Sequence, residues 1–225
     1  MIMRQTISTI VFVLTFQSFF GQVATIQDSD GWTNIHKSPN GKSEIIHKIY
    51  ENEVFWYDYE YTDKLKDWIS IYIPKNDFCL EKSNPYYIMG FIHKSRLLPL
   101  EKMNNYSGSG FSFKYNLIDF DSTSKIVDRY NRSVDAIDGR PIWGTDGDFP
   151  KKEVKNIEVI IQGKIIKIHK VFFNDIYECD NSFSVFKNGE TFFVYQSNSD
   201  GAGGYEIVWV FDKNGLKQRL VGSII

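Results

Sequence analysis

Apolar residues recur at every second position in short runs along this chain, the period of a strand with one face turned inward. Asp67 to Ile73 sets Ile69, Ile71 and Ile73 on one side and Trp68, Ser70 and Tyr72 on the other. Val54 to Tyr61 places Val54, Trp56, Asp58 and Glu60 on one face and Phe55, Tyr57, Tyr59 and Tyr61 on the opposite one. Strands are also predicted at Val23–Gln27, at Ile45–Tyr50 after the Pro39-Asn40-Gly41 turn, and at Phe91-Ile92. Five short strands so closely spaced predict a small closed barrel or tight sandwich over residues 23–102.

Small and polar residues then cluster at Asn104-Asn105-Tyr106-Ser107-Gly108-Ser109-Gly110, which predicts a linker over 103–110. Beyond it, residues 111–225 are punctuated by Asp138-Gly139, Asp146-Gly147, Gln162-Gly163, Asn188-Gly189, Asp200-Gly201 and Asn214-Gly215, all hairpin-type pairs. Apolar runs flank three of them: Ile157–Ile161 with Lys164–Ile168, Phe183–Lys187 with Thr191–Gln196, and Tyr205–Phe211 with Leu216–Val221. Asp121–Val134 is predicted to form a helix capped by Ser122 or Thr123, and Val171–Tyr177 a helical turn. The fold class expected is mainly β: a small barrel followed by a β-rich α+β domain with an antiparallel sheet.

The chain begins differently. Arg4 precedes a largely apolar run from Ile7 to Phe20, and no acidic residue occurs before Asp28. A run this short of the ~20 residues that span a bilayer reads as an export signal over residues 1–22. The protein is therefore expected to be periplasmic or extracellular and not membrane-spanning after signal removal. Aromatics form 16% of the 225 residues, with 13 Tyr and 18 Phe, enough for a sizeable core dominated by strand-favouring side chains. A formal net charge of −2 argues against nucleic acid as a partner, since counterion release needs a basic excess. Cys79 and Cys179 fall in different halves; a bridge between them and two unpaired thiols both remain open.

The ordered series Asp30-Gly31 with Asn34-Ile35, Ile46 with Ile49, Val54, Asp67-Trp68 with Ile71, and Gly90-Phe91-Ile92 resembles the bacterial Src-homology-3-like module. Three departures stand out: His36 where that family commonly carries Arg, a long insertion from Pro74 to Tyr87, and an aromatic segment Tyr57–Lys66. The resemblance implies a small binding barrel that holds cell-wall peptide or another extended peptide. The second half resembles segments of secreted bacterial proteins through its Asp-Gly-Ala-Gly run, a likeness that carries no function.

On that reading the candidate ligand groove comprises Trp56, Tyr57, Trp68, Tyr72, Tyr86 and Tyr87. Exposed rings offer rigid contact area to peptides and sugars, while the alternative is that the same rings fill the barrel. Other chemistry is weak. Ser199–Tyr205 is Gly-rich but lacks the Lys and helix of a phosphate loop. Asp138, Asp146 and Asp148 lie at turns without calcium-loop spacing. His36, His47, His93 and His169 show no metal-type spacing, and Cys179 has no His after it. Lys151, Lys152, Lys155, Lys164, Lys167 and Lys170 gather around one hairpin as a solvated face or a surface for an anionic polymer. The expectation is an exported non-catalytic binding protein with no cofactor and no metal, whose partner is a peptide, a cell-wall polymer or a protein. The rivals are an envelope inhibitor or immunity-type protein, and a hydrolase using Asp146 or Asp200.

Overall fold

A computed structural model describes residues 22–58, 66–80, 87–199 and 201–223. Residues 1–21 of the expected export segment, together with Tyr59, Glu60, Tyr61, Tyr86 and Asp200, lie outside the described residues. Among the described residues no helix is long and apolar enough to cross a membrane.

The first half forms β1 (Val23–Ile26), β2 (Trp32–His36), β3 (Ile45–Tyr50), β4 (Phe55–Asp58), β5 (Trp68–Pro74), β6 (Tyr87–His93) and β7 (Leu97–Pro99). They make one antiparallel sheet in the order β3-β2-β6-β5-β4-β1-β7. Ile69, Ile71 and Ile73 face inward with Ala24, Ile26, Ile35, Ile49, Phe55, Tyr57 and Ile92. Ile49 comes from one edge strand, and Leu97 from the other packs on the same cluster, so the sheet curls around its own core. No pairing closes β3 onto β7 among the described residues, and a hydrogen-bonded closed barrel is not formed there. Gly90 lies inside β6. A Cβ there would overlap Ile35 Cγ2, so glycine lets β2 lie close over β6.

The second half contains β8 (Phe111–Asp119), β9 (Val127–Tyr130), β10 (Ser133–Ile137), β11 (Arg140–Pro141), β12 (Lys152–Ile161), β13 (Lys164–Lys167), β14 (Ser184–Asn188), β15 (Thr191–Asn198), β16 (Tyr205–Asp212) and β17 (Gly215–Ser223). They form sheets ordered β11-β10-β9, β13-β12-β8 and β14-β15-β16-β17. The last is covered on both faces. Phe192, Val194, Ile207, Trp209, Phe211 and Val221 meet β8 and β12 through Phe111, Tyr115, Ile157 and Val159. On the reverse, Phe193, Tyr195, Val208, Val210 and Leu220 meet Val23, Val54 and Leu100 of the first half. Thr191–Gln196 and Tyr205–Phe211 are accordingly buried at every position. Both edges of this sheet are also protected. Tyr106 N–H donates to Val185 O at 2.7 Å, and Arg219 N–H donates to Asp77 O at 2.9 Å. The expected linker is therefore docked along β14, and Asp77 and Phe78 of the expected insertion reach across to β17.

The Asp121–Val134 helix is not formed. That segment is a single 3₁₀ turn at Ser122–Ser124, capped by the Asp121 carboxylate accepting from Thr123 N–H at 2.9 Å, followed by β9 and the start of β10. Asn131, at φ 56°, sits in the turn that folds β9 back on β10, and left-handed backbone there ends any helix. No α-helix occurs among the described residues, so the α+β expectation reduces to a mainly β protein with short 3₁₀ turns. The hairpins at Asp138-Gly139 and Gln162-Gly163 do form, each with positive φ at both turn residues, the type I′ geometry that suits strand twist. In β12 a bulge between Val154 and Asn156 leaves Lys155 and Asn156 both exposed and brings Val154 and Ile157 to the same core.

The seam between the halves carries buried polar groups that are matched except at Arg219 Nε, which has no hydrogen-bond partner among the described residues. Gln218 accepts from Val54 N–H at 2.7 Å and donates to Val54 O at 2.8 Å, so its amide stands in for a strand neighbour. Glu206 accepts from Trp56 Nε1–H at 2.7 Å and from the Tyr195 hydroxyl at 3.3 Å. The Trp56 ring lies over Gly222, where a Cβ would sit 2.7 Å from Cζ2. Arg219, fully buried, donates to Phe78 O at 3.0 Å and Asp175 Oδ1 at 2.8 Å; Asp175 Oδ2 takes Arg140 at 3.0 Å. Arg140 also donates to Val171 O and Asn174 Oδ1.

Removing Asp175 strands two guanidinium groups, one of them fully buried. Asp175→Ala is expected to cost about 3–5 kcal/mol of stability, read as a lowered urea midpoint; an unchanged midpoint would show that Asp175 does not anchor its segment to Arg140 and to Arg219 of β17. Burial holds the Glu206 carboxyl up to about 7, against an ordinary value near 4.5 and despite two donors. The folded state therefore keeps its proton where the unfolded chain has lost it, and stability falls as pH rises from 4.5 to about 7. The expected loss is about 3 kcal/mol across that window. Glu206→Gln should remove this slope from urea midpoints measured at successive pH values.

Candidate functional site

The outward face of the first sheet gathers rings that the core does not use. Register pairs Trp68 with His93, Ser70 with Phe91, Tyr72 with Met89 and Pro74 with Tyr87, while His36 of β2 pairs with Phe91. Because Gly90 and Ile92 point inward, Met89, Phe91 and His93 point outward beside Trp68 and Tyr72. The Trp68 ring meets His36 edge-on at 5.2 Å between centroids and His93 edge-on at 5.7 Å. Tyr72 meets Tyr87 in the same manner at 5.0 Å. Trp68, Tyr72 and Tyr87 are half-buried and Met89 and His93 exposed, so the face is a shallow aromatic stripe open to solvent.

The five described residues of the groove expected from sequence therefore separate. Trp68, Tyr72 and Tyr87 share this stripe. Trp56 lies on the same face of the sheet but is taken up by the seam, bonded to Glu206. Tyr57 turns into the first core, and its hydroxyl donates to Glu101 Oε1 at 2.8 Å. Alternation along β4 already required Trp56 and Tyr57 to point opposite ways. His36 and His93 were missed because they are remote from Trp68 in sequence; only strand register, with His93 directly opposite Trp68, brings them there.

Both imidazoles are oriented by residues of the turns that follow their strands. His36 Nδ1 lies 3.2 Å from Ser43 O. His93 Nδ1 accepts from Ser95 N–H at 3.3 Å and lies 2.8 Å from Ser95 Oγ. These contacts hold both rings against Trp68.

Other candidates are occupied structurally or stand alone. Burial pushes the Cys179 thiol up to about 12, and its Sγ lies 3.0 Å from the Tyr205 hydroxyl; burial also raises Cys79. Both are free thiols in protonated form, without nucleophilic character at neutral pH. Asp138 occupies the β10–β11 turn and accepts from Ile126 N–H at 3.0 Å. Asp146 is exposed and lies against Gly201 and Gly203 of the Gly-rich turn. A cleft of about 200 Å³ opens between β12 and the 170–177 segment, with Lys125, Lys155 and Lys170 above Phe173 and Ile176. Lys125 is held there by Glu153 at 3.0 Å. Of the expected lysine patch, Lys152 pairs with Asp119, which leaves part of it neutralised.

Set against known proteins, the chain matches no family model, no curated protein and no solved structure.

Proposed function

We propose that the protein is an exported, non-catalytic binding protein whose first half is a Src-homology-3-like barrel holding an extended, peptide-like ligand. The observation that carries this reading is the aromatic stripe of Trp68, Tyr72 and Tyr87, flanked by His36 and His93, on the outward face of β2, β5 and β6. The order β7-β1-β4-β5-β6 supports the barrel assignment, as does the 3₁₀ turn at Lys94–Arg96 that leads into β7. In such a barrel the last strand returns beside the first, and the β2–β3 hairpin reaches over the sheet. Rigid rings that leave half their surface in water lose little entropy on binding and stack on peptide or sugar faces alike.

The second half supports a scaffold role rather than a reactive one. Its buried carboxylates, Asp175 and Glu206, are held by Arg140 with Arg219 and by Trp56 with Tyr195. Its widest sheet is covered on both faces and both edges. The partner is a cell-wall peptide, a related polymer or the extended segment of another protein.

Trp68→Ala is expected to weaken retention on isolated wall sacculi and on an extended-peptide array by about 30-fold, the size of an aromatic hot spot. Retention equal to wild type on both surfaces would remove the stripe as the binding site.

A further inference from the structure

We propose that the cleft between β12 and the 170–177 segment is a binding site for a small organic anion, with Lys155 and Lys170 as the cations that hold its head. The site lies in the second half and is independent of the aromatic stripe.

The cleft exists because strand pairing along one edge of β12 is interrupted. β13 pairs with β12 as far as Glu158, which lies opposite Lys167. The chain then leaves the sheet through the 3₁₀ turn at Lys170–Phe172 and rejoins β12 at the bridge between Tyr177 and Glu153. Residues 154–157 therefore have no strand partner on that edge among the described residues, while β8 runs along the other. The returning chain uses nine residues, 168–176, to pass the four of β12, so it bows outward and leaves a space of about 200 Å³. Pairing shuts this space at both ends, so no partner strand can run through it along β12. It admits a compact molecule, of about seven water-sized groups at ~30 Å³ each.

The charge of the walls sets the sign of the ligand. Lys125, Lys155 and Lys170 line the cleft together with Glu153. Lys125 is neutralised by Glu153 at 3.0 Å. Lys155 and Lys170 are exposed and make no ion pair among the described residues. The other carboxylates of β8, β12 and the following segment are spent elsewhere: Asp119 on Lys152, Glu158 on Asn116, and Glu178 on the backbone amides of Lys151 and Lys152. Asn174, also in the lining, gives its Oδ1 to Arg140, which leaves its N–H₂ as a donor without a partner among the described residues. Two ammonium groups and an amide donor suit an acceptor that carries negative charge.

The remaining walls set the body of the ligand. Exposed ammonium groups hold a bare ion weakly in water. An anion on a short apolar stem gains in addition by covering Ile118, which lines the cleft and is 39% exposed, and the hydrocarbon stems of the lysines.

Titration of the full chain with isovalerate, followed by ¹H–¹⁵N NMR, tests the site. Isovalerate supplies a carboxylate on a body of the right size; isovaleramide has the body without the charge, and acetate the charge without the body. The expected result is saturable shifts at the backbone amides of Lys155 and Asn174 with a Kd of about 1 mM, and at least tenfold weaker binding of both controls. Lys155→Met and Lys170→Met keep the stems and remove the charges; each should weaken isovalerate about threefold and the double variant about tenfold, while Lys42→Met leaves it unchanged. Isovaleramide binding as well as isovalerate would overturn the proposal, as would a double variant that binds like the parent. Acetate binding as well as isovalerate would reduce the site to an adventitious ion only, and shifts that do not saturate would remove it.

Discussion

Burial of β15 and β16 on both faces is the constraint on which the rest of this molecule depends. Along Phe192–Tyr195 and Ile207–Phe211 consecutive residues are apolar, so each strand turns hydrophobic side chains to both sides of its sheet. Antiparallel sheets usually leave one face in water; here neither face tolerates it. One side takes β8 and β12 as cover, the other takes the flank of the first sheet. The halves are thus layers packed on a common middle rather than two barrels on a flexible string, and the Gly-rich segment between them runs as an added edge along β14.

A middle layer closed on all sides must satisfy almost all the polar groups it carries. Gln218 does so by completing the backbone of Val54 across the seam. Arg219 does so for its two terminal nitrogens through Phe78 and Asp175, which ties Phe78 to β17, and leaves its Nε without a partner among the described residues. Glu206 is the least comfortable member, since its two donors do not fully offset its removal from water. These contacts consume the buried polar chemistry of the second half. The first sheet keeps the half-exposed rings of Trp68, Tyr72 and Tyr87 gathered on one open face.

Much of this was legible in the chain. Period-two alternation located β4 and β5 and assigned Ile69, Ile71 and Ile73 to the core, because a strand's geometry is local. Asp138-Gly139, Gln162-Gly163, Asn188-Gly189 and Asn214-Gly215 located hairpins, since positive φ restricts the residue types that fit, whereas Asp146-Gly147 lies outside any strand pair. The Asp121–Val134 helix was misread because a capping residue followed by mixed polar and apolar positions does not distinguish one 3₁₀ turn from several helical ones. Asn131 in a left-handed turn decided it. In the candidate groove, alternation separated Trp56 from Tyr57 but did not say which of them the first core would take.

What the sequence determined by itself was the mainly β class, the strand and turn positions and the supply of aromatic side chains, all consequences of short-range stereochemistry. Tertiary structure alone decided that Trp56 would serve the seam, that Tyr57 would be buried, and that His36 and His93 would close on Trp68. Those outcomes depend on strand register and on which surfaces meet. Register pairs residues far apart in the chain, and their fate follows from the two-sided burial of a sheet formed more than a hundred residues later.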